Sequence, residues 1–221
     1  DHKFDDKVVK AVYEACVEAG IDYMEIGYIN SRDQFPVNEF GPWKHSREED
    51  IRRIVGDNDT SLKLAVMADV EKSDYKTDIL PSADSVVDMI RVATYIHQMP
   101  LALDMIKDAH DKGYESTLNL MAASTVPESE IRGALEMLVQ SEVEAIYVVD
   151  SFGSLYSEQI HALYDMFMEY CKGTKIEGLR HRRRLEQGGE RAGELLLYRS
   201  VGGKLPDSFF EPDAQGFLTA V

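Results

Sequence analysis

The chain has 221 residues, 44% of them hydrophobic, enough for one domain with a sizeable core and too apolar for a disordered chain. Its formal net charge of −16 repels phosphate backbones and anionic lipid, which argues against nucleic-acid and membrane partners. A small anionic substrate at a locally positive site stays compatible with that charge. No apolar run approaches the roughly 20 residues of a membrane span. No secretory signal is visible, and a start on Asp1 without an initiator Met is expected not to be the native one. Cys16 and Cys171 are the two cysteines; both fall in helical patterns and are expected as reduced thiols in a cytoplasmic protein.

In chain order, a unit of amphipathic helix, turn and apolar strand recurs. Phe4, Val8, Val9, Val12, Ala15, Cys16 and Ala19 recur at helical spacing, with Asp5 or Asp6 to cap the start and Gly20 to end it. The strand Tyr23-Met24-Glu25-Ile26-Gly27 follows. Leu62 to Met67 reads as a second strand and Met89 to Ala93 as a shorter third. A helix from Pro100, ended by Gly113, leads to the strand Ser116 to Met121. A helix from Pro127 leads to the strand Ala145 to Asp150, and a last helix covers about Ser157 to Cys171. Strands apolar on both faces and alternating with helices predict an α/β fold with a parallel sheet. Periodicity alone does not choose between a barrel and a doubly wound sheet. No G-x-G-x-x-G turn follows the first strand and no phosphate-binding G-x-x-x-x-G-K-[ST] loop occurs.

Polar residues sit where these apolar strands end, which in α/β barrels is where chemistry is done. Glu25 lies between Met24 and Ile26 and must find an Arg, a metal or a hydrogen-bond donor if buried. It reads either as a structural ion pair or as a catalytic carboxylate. Asp150 ends a strand before a glycine-containing turn, so it reads as a turn residue or as a site residue. Asn119 is a polar liner on its strand. The histidines form no H-x-x-x-H or H-x-H pair. His97 and His110 read as surface or packing residues, and His45 lies in a loop with no support as a ligand. Asp69, Glu71, Asp74 and Asp78 lack calcium-loop spacing and read as a solvated loop.

Several blocks carry a resemblance. Met24-Glu25-Ile26-Gly27-Tyr28, Phe40-Gly41-Pro42-Trp43-Lys44, and Asp57-Asn58-Asp59-Thr60 leading into Leu62 to Asp69 are similar to a bacterial branch of the HMG-CoA-lyase-like aldolases. Ile90-Arg91-Val92-Ala93 and Tyr147 to Tyr156 belong to the same pattern. This pyruvate-carboxyltransferase-type family includes the 4-hydroxy-2-oxovalerate aldolases, and the resemblance spans about residues 4–172. It implies a TIM (β/α)₈ barrel, here incomplete, with roughly strands 2 to 6 present. It also implies a divalent metal, Mn²⁺ or Mg²⁺, that stabilises the enolate of a 2-oxo acid while a C–C bond is made or broken. The implied partners are the small 2-oxo acid, a second copy of the chain or an aldehyde dehydrogenase.

On this resemblance Glu25 matches the acidic residue of the second strand near the metal, and Asp150 an Asp ending the sixth. Both are carried over as catalytic candidates, with Asn119 as a substrate-binding candidate. No metal ligand is carried over. The family's Arg-Asp pair, in a motif like L-R-D-G, is expected to precede the helix at Asp5. Its H-x-H is expected near Gly178-Leu179-Arg180-His181-Arg182-Arg183, where Arg stands at both ligand positions and cannot bind a metal. Residues 175–221 hold eight Lys and Arg against seven Asp and Glu, unlike the acidic remainder. The expected organisation is therefore a partial aldolase-type barrel over 1–174 and a divergent, poorly ordered tail over 175–221, with activity lost. Two readings compete: a Claisen-type acyltransferase related to isopropylmalate and citramalate synthases, and a non-catalytic truncated or frameshifted fragment.

Overall fold

The computed structural model describes residues 3–172, 174, 178–183 and 218–219, the last two stretches by backbone alone. The chain divides into two compact units. The first is built on Asp1–Val92 and Asp108–Glu115 together with the short strand near the C-terminus, and the second on Ala93–Lys107 and the described residues from Ser116 to Arg183.

In the first unit, helix α1 (Asp6–Glu18) starts where Asp5 accepts a hydrogen bond from the Lys7 amide and ends at Gly20, whose φ of 67° is the left-handed conformation that glycine adopts freely. Strand β1 (Tyr23–Tyr28) follows, then helix α2 (Glu48–Val55), strand β2 (Lys63–Asp69), the single turn α3 (Tyr75–Asp78) and strand β3 (Met89–Thr94). The strand order is β3-β2-β1-β7, where β7 is Leu218–Thr219, and β1 is parallel to both β2 and β7. β2 is buried from Leu64 to Asp69 and β3 along its whole length, as parallel strands covered on both faces require. α1 rests on α2 and β1, burying Val9, Tyr13 and Cys16.

β1 and β2 lose register once. Glu25 stands opposite Ala65, yet Gly27 stands opposite Val66, so Ile26 is an extra residue in β1. Just beyond, a turn of 3₁₀ helix over Pro42–Lys44 closes on β1. A side chain at Gly27 would meet the Trp43 carbonyl oxygen at 2.6 Å, so only glycine lets this turn approach so closely. Trp43 is fully buried there.

In the second unit, helix α4 (Met99–Asp111) leads to strand β4 (Glu115–Leu120), helix α5 (Glu128–Leu138), strand β5 (Ala145–Asp150), helix α6 (Ser157–Cys171) and strand β6 (Gly178–Arg183). β4, β5 and β6 are consecutive and parallel. α5 packs on α6, and α6 on β6.

The fold is thus α/β with parallel strands and intervening helices, consistent with part of a (β/α)₈ barrel. Strand and helix positions follow the sequence expectation closely. The additions are α2, α3 and the 3₁₀ turns, which periodicity over so few residues does not reveal. Two short stretches after residue 174 are strands; the expectation of low order over the rest of 175–221 lies outside the described residues. Cys16 and Cys171 are free and buried, and burial pushes both thiols up from their ordinary value. Among the described residues no helix is long and apolar enough to cross a membrane.

Candidate functional site

Glu25 is buried in the middle of β1, and its carboxylate is ion-paired with the Arg91 guanidinium of β3, also buried. β2 lies between these strands, and the residue of β2 opposite Glu25 is Ala65. A methyl side chain at that point leaves the guanidinium a path across β2. Two charges removed from water are costly unless each neutralises the other with good hydrogen-bond geometry, so the pair must be kept whole. Of the partners that Glu25 could have found, the structure supplies an arginine. The sequence held a signal for it: Arg91 is the one charged residue in the strand Met89–Thr94.

Where β1 and β2 end, a second polar group is assembled. Asn30, fully buried, donates through Nδ2 to Asp69 Oδ2 at 3.2 Å and accepts at Oδ1 from the Ser73 hydroxyl at 3.2 Å. The Lys72 ammonium stands 4.0 Å from Asp69 Oδ2. His45 Nδ1 lies 2.9 Å from the Asn30 carbonyl oxygen, which can only accept, so Nδ1 carries the proton. Its Nε2 is buried and meets no hydrogen-bond partner among the described residues. Lys44 is buried beside it, its ammonium 4.5 Å from the centre of the Tyr28 ring and 4.7 Å from that of Phe35. Burial pushes the Lys44 ammonium below its ordinary value; Asp69 opposes that shift and Lys72 adds to it.

This group corrects one expectation and refines another. Asp69 is not part of a solvated loop: it ends β2 facing Asn30 and is 8% exposed. The alternation of acidic and polar residues after it resembles solvated loop sequence, and only its pairing with a residue 39 positions earlier separates it from Glu71 and Asp74. His45 is 1% exposed, buried by the turn that Gly27 admits. Asn30 and Lys44 carried no sequence signal of their own. His97 and His110 are exposed, as expected.

Asn119 and Asp150 lie on the neighbouring strands β4 and β5 of the second unit, while Glu25 belongs to the first. Asn119 is buried and stands opposite Tyr147. Asp150 is fully buried; Oδ1 accepts from the Ser154 amide at 3.1 Å and Oδ2 from the Leu155 amide at 2.9 Å. Both oxygens thus organise the turn through Gly153, whose φ is 63°. That turn is tied to the end of β4 by the Ser151 hydroxyl, which accepts from the Ala122 amide at 3.0 Å. Among the described residues no three His, Cys, Asp or Glu side chains converge so as to hold a metal ion.

No protein-family model matches the chain. Curated relatives do. A 4-hydroxy-2-oxovalerate aldolase of Rhodococcus opacus is 24% identical over 159 residues, covering 72% of this chain and 46% of its own length. A second, of Rhodococcus erythropolis, is 25% identical over the same number of residues, with 45% of its length covered. The chain therefore spans about half the length of the curated relatives it matches. Among solved structures, the N-terminal domain of a candidate aldolase from Bacteroides vulgatus superimposes with a TM-score of 0.62 at 22% identity. That match covers 82% of this chain and 57% of the other, and it supports the fold assignment alone. Over 72% of its length the chain is thus similar, at 24–25% identity, to 4-hydroxy-2-oxovalerate aldolases, a distant aldolase-like relationship.

Proposed function

We propose that this chain carries part of an aldolase-type site, one that makes or breaks a C–C bond of a 2-oxo acid through an enolate. The observation that carries this reading is the similarity to 4-hydroxy-2-oxovalerate aldolases over 159 residues. Enolate chemistry places negative charge on an oxygen in the transition state, and fixed cationic or hydrogen-bonding groups must meet it. Among the described residues of the first unit, the buried lysine and arginine side chains are Arg91 on β3 and Lys44 in the turn over Pro42–Lys44. Glu25 acts on Arg91: it keeps the guanidinium in one position and keeps it from being an uncompensated buried charge.

The family resemblance brings a divalent metal, Mn²⁺ or Mg²⁺. The described residues do not fit one, since no three donors converge, and Glu25 spends its charge on Arg91. No step is therefore derived through a metal. We expect this chain alone to bind Mn²⁺ weakly and to show no measurable aldol cleavage.

The test is ligand-observed NMR with pyruvate and with oxalate, a mimic of its enolate, alongside deuterium exchange into the pyruvate methyl group with Mn²⁺ added. Binding without exchange is the expected result. Stoichiometric tight Mn²⁺ with rapid exchange would overturn the non-catalytic expectation. Absence of binding by either acid would overturn the substrate class, and release of CoA from acetyl-CoA and pyruvate would move the reading to an acyltransferase.

A further inference from the structure

At the opposite ends of the strands from Asn30 and Asp69, the first unit holds an open cavity of about 720 Å³. Its wall forms where β2 begins at Lys63, where Asp88 leads into β3, and where Gly113 and Glu115 lead into β4. Every lining residue belongs to the first unit. A volume in this range suits a small organic molecule and is far larger than a bare ion needs. The chemistry of α/β barrels gathers at the other ends of the strands, and the length of β2 separates this cavity from the polar group around Asn30 and Asp69.

Two turns shape the wall. Asn58, with a left-handed φ of 49°, accepts at Oδ1 from the Tyr13 phenol at 2.7 Å and from the Thr60 hydroxyl at 2.9 Å, and donates to the Leu62 carbonyl at 2.8 Å. Gly113, at a φ of 92°, passes so close to Ser82 that a Cβ there would lie 2.5 Å from its hydroxyl oxygen. The hydroxyl-bearing residues Thr60, Ser61, Ser82 and Ser85 line the same cavity. A hydroxyl both donates and accepts, so such a wall suits a ligand that carries hydroxyls of its own.

The charges of the wall do not cancel. Lys63 is ion-paired with Glu115 and donates to the Tyr23 phenol at 3.2 Å. Arg52 is ion-paired with Glu48 at 2.6 Å and with Asp57. Asp88 is the third carboxylate of the lining, and its Oδ2 accepts from the Leu64 amide at 2.8 Å. Arg52 and Lys63 against Asp57, Asp88 and Glu115 leave one negative charge in excess, and Glu48, bonded to Arg52, adds to it. Burial raises the Asp88 carboxyl above its ordinary value, with the Leu64 amide and Lys63 opposing. A cation brought to a half-buried carboxylate offsets that loss of water. Both wall cations already meet carboxylates, so an anion would enter against the excess charge. Among the described residues no three His, Cys, Asp or Glu side chains converge, which suits an ammonium better than a divalent metal.

We propose that this cavity binds a small hydroxylated organic ammonium, with Asp88 accepting from the ammonium and the wall hydroxyls meeting the hydroxyls of the ligand. The site rests on nothing in the 2-oxo acid reading.

The test is a titration of the isotope-labelled full chain, followed by amide NMR in mildly acidic buffer, where amines are protonated. The probes are glucosamine and ethanolamine. The controls are glucose, which has a hydroxyl in place of the glucosamine ammonium, inorganic phosphate, and Mg²⁺. Saturable shifts at the Leu64, Val87 and Gly113 amides are expected with both amines and not with the controls. Asp88→Asn keeps an oxygen for the Leu64 amide and removes the charge; it should weaken amine binding about tenfold or more, the range of one charge-assisted hydrogen bond. If Asp88→Asn fails to fold, the side-chain carboxyl carbon resonance of Asp88 in the unmutated chain replaces it and should move as amine is added. Equal binding of glucose and glucosamine, tighter binding of phosphate or Mg²⁺, undiminished amine binding by Asp88→Asn, an unmoved Asp88 carboxyl resonance, or no saturable response to either amine overturns the proposal.

Discussion

Arg91 on β3 is joined to Glu25 on β1 across the strand between them, 66 residues apart in sequence and both almost fully buried. Removing one partner strands a charge in the core. Arg91→Met and Glu25→Gln are each expected to destabilise the protein by about 3–5 kcal/mol. The double change Glu25→Leu with Arg91→Met should recover much of that loss, because a matched apolar pair carries no uncompensated charge. Urea unfolding of the four proteins gives the coupling directly. Additive losses in the double variant would mean that the two side chains do not act as a pair.

Ala65 sets the path of that contact, since it stands opposite Glu25 on the strand being crossed. Ala65→Leu should cost about 1–3 kcal/mol by overpacking a fully buried position. It should also push Arg91 off Glu25. A variant as stable as the parent would show that the guanidinium takes another route.

Gly27→Ala places a methyl group 2.6 Å from the Trp43 carbonyl oxygen. The turn over Pro42–Lys44 must then lift from β1, and Trp43, now fully buried, should become wetter. A red shift of its emission together with a loss of about 1–3 kcal/mol is expected. An unshifted emission maximum would show that β1, rather than the turn, yields.

Asp150 separates turn chemistry from site chemistry. Asp150→Ala leaves the Ser154 and Leu155 amides without their acceptor, at a cost of about 1–3 kcal/mol, and Asp150→Asn, which retains one acceptor oxygen, should cost less. If the turn is its whole role, neither change alters pyruvate binding at concentrations where the protein is folded. A loss of binding by folded Asp150→Asn would restore Asp150 as a ligand-contacting residue.

Tyr23 predicts behaviour at high pH. Its phenol donates to Glu115 Oε2 and accepts from the Lys63 ammonium at 3.2 Å. Burial, then the hydrogen bond to Glu115, push it up to about 12, with Lys63 opposing. The folded value lies above the unfolded value of about 10. The stabilising contribution is therefore complete below pH ~10 and is lost as pH rises through about 12. Phenolate absorbance of the parent minus that of Tyr23→Phe should reveal a tyrosine that ionises later than an exposed one. A difference curve centred near the ordinary value would refute the half-buried pairing.

The sequence by itself determined what depends on neighbours in the chain. The period of α1, its start at Asp5 and its end at Gly20 are local, and so are the apolar strands that announce a parallel α/β fold. The blocks around Glu25 and Asp150 were enough to suggest the aldolase relationship that the curated relatives support. Tertiary structure alone decided which polar residues were partners. Glu25 found Arg91, Asp69 left the solvated loop to face Asn30, and Lys44 was buried between two rings by a turn that only Gly27 permits. Backbone periodicity is fixed by the steric and hydrogen-bond rules of a few adjacent residues. The partner of a buried charge is set by strand order, register and bulge, which join residues far apart in the chain, and no local pattern carries that information.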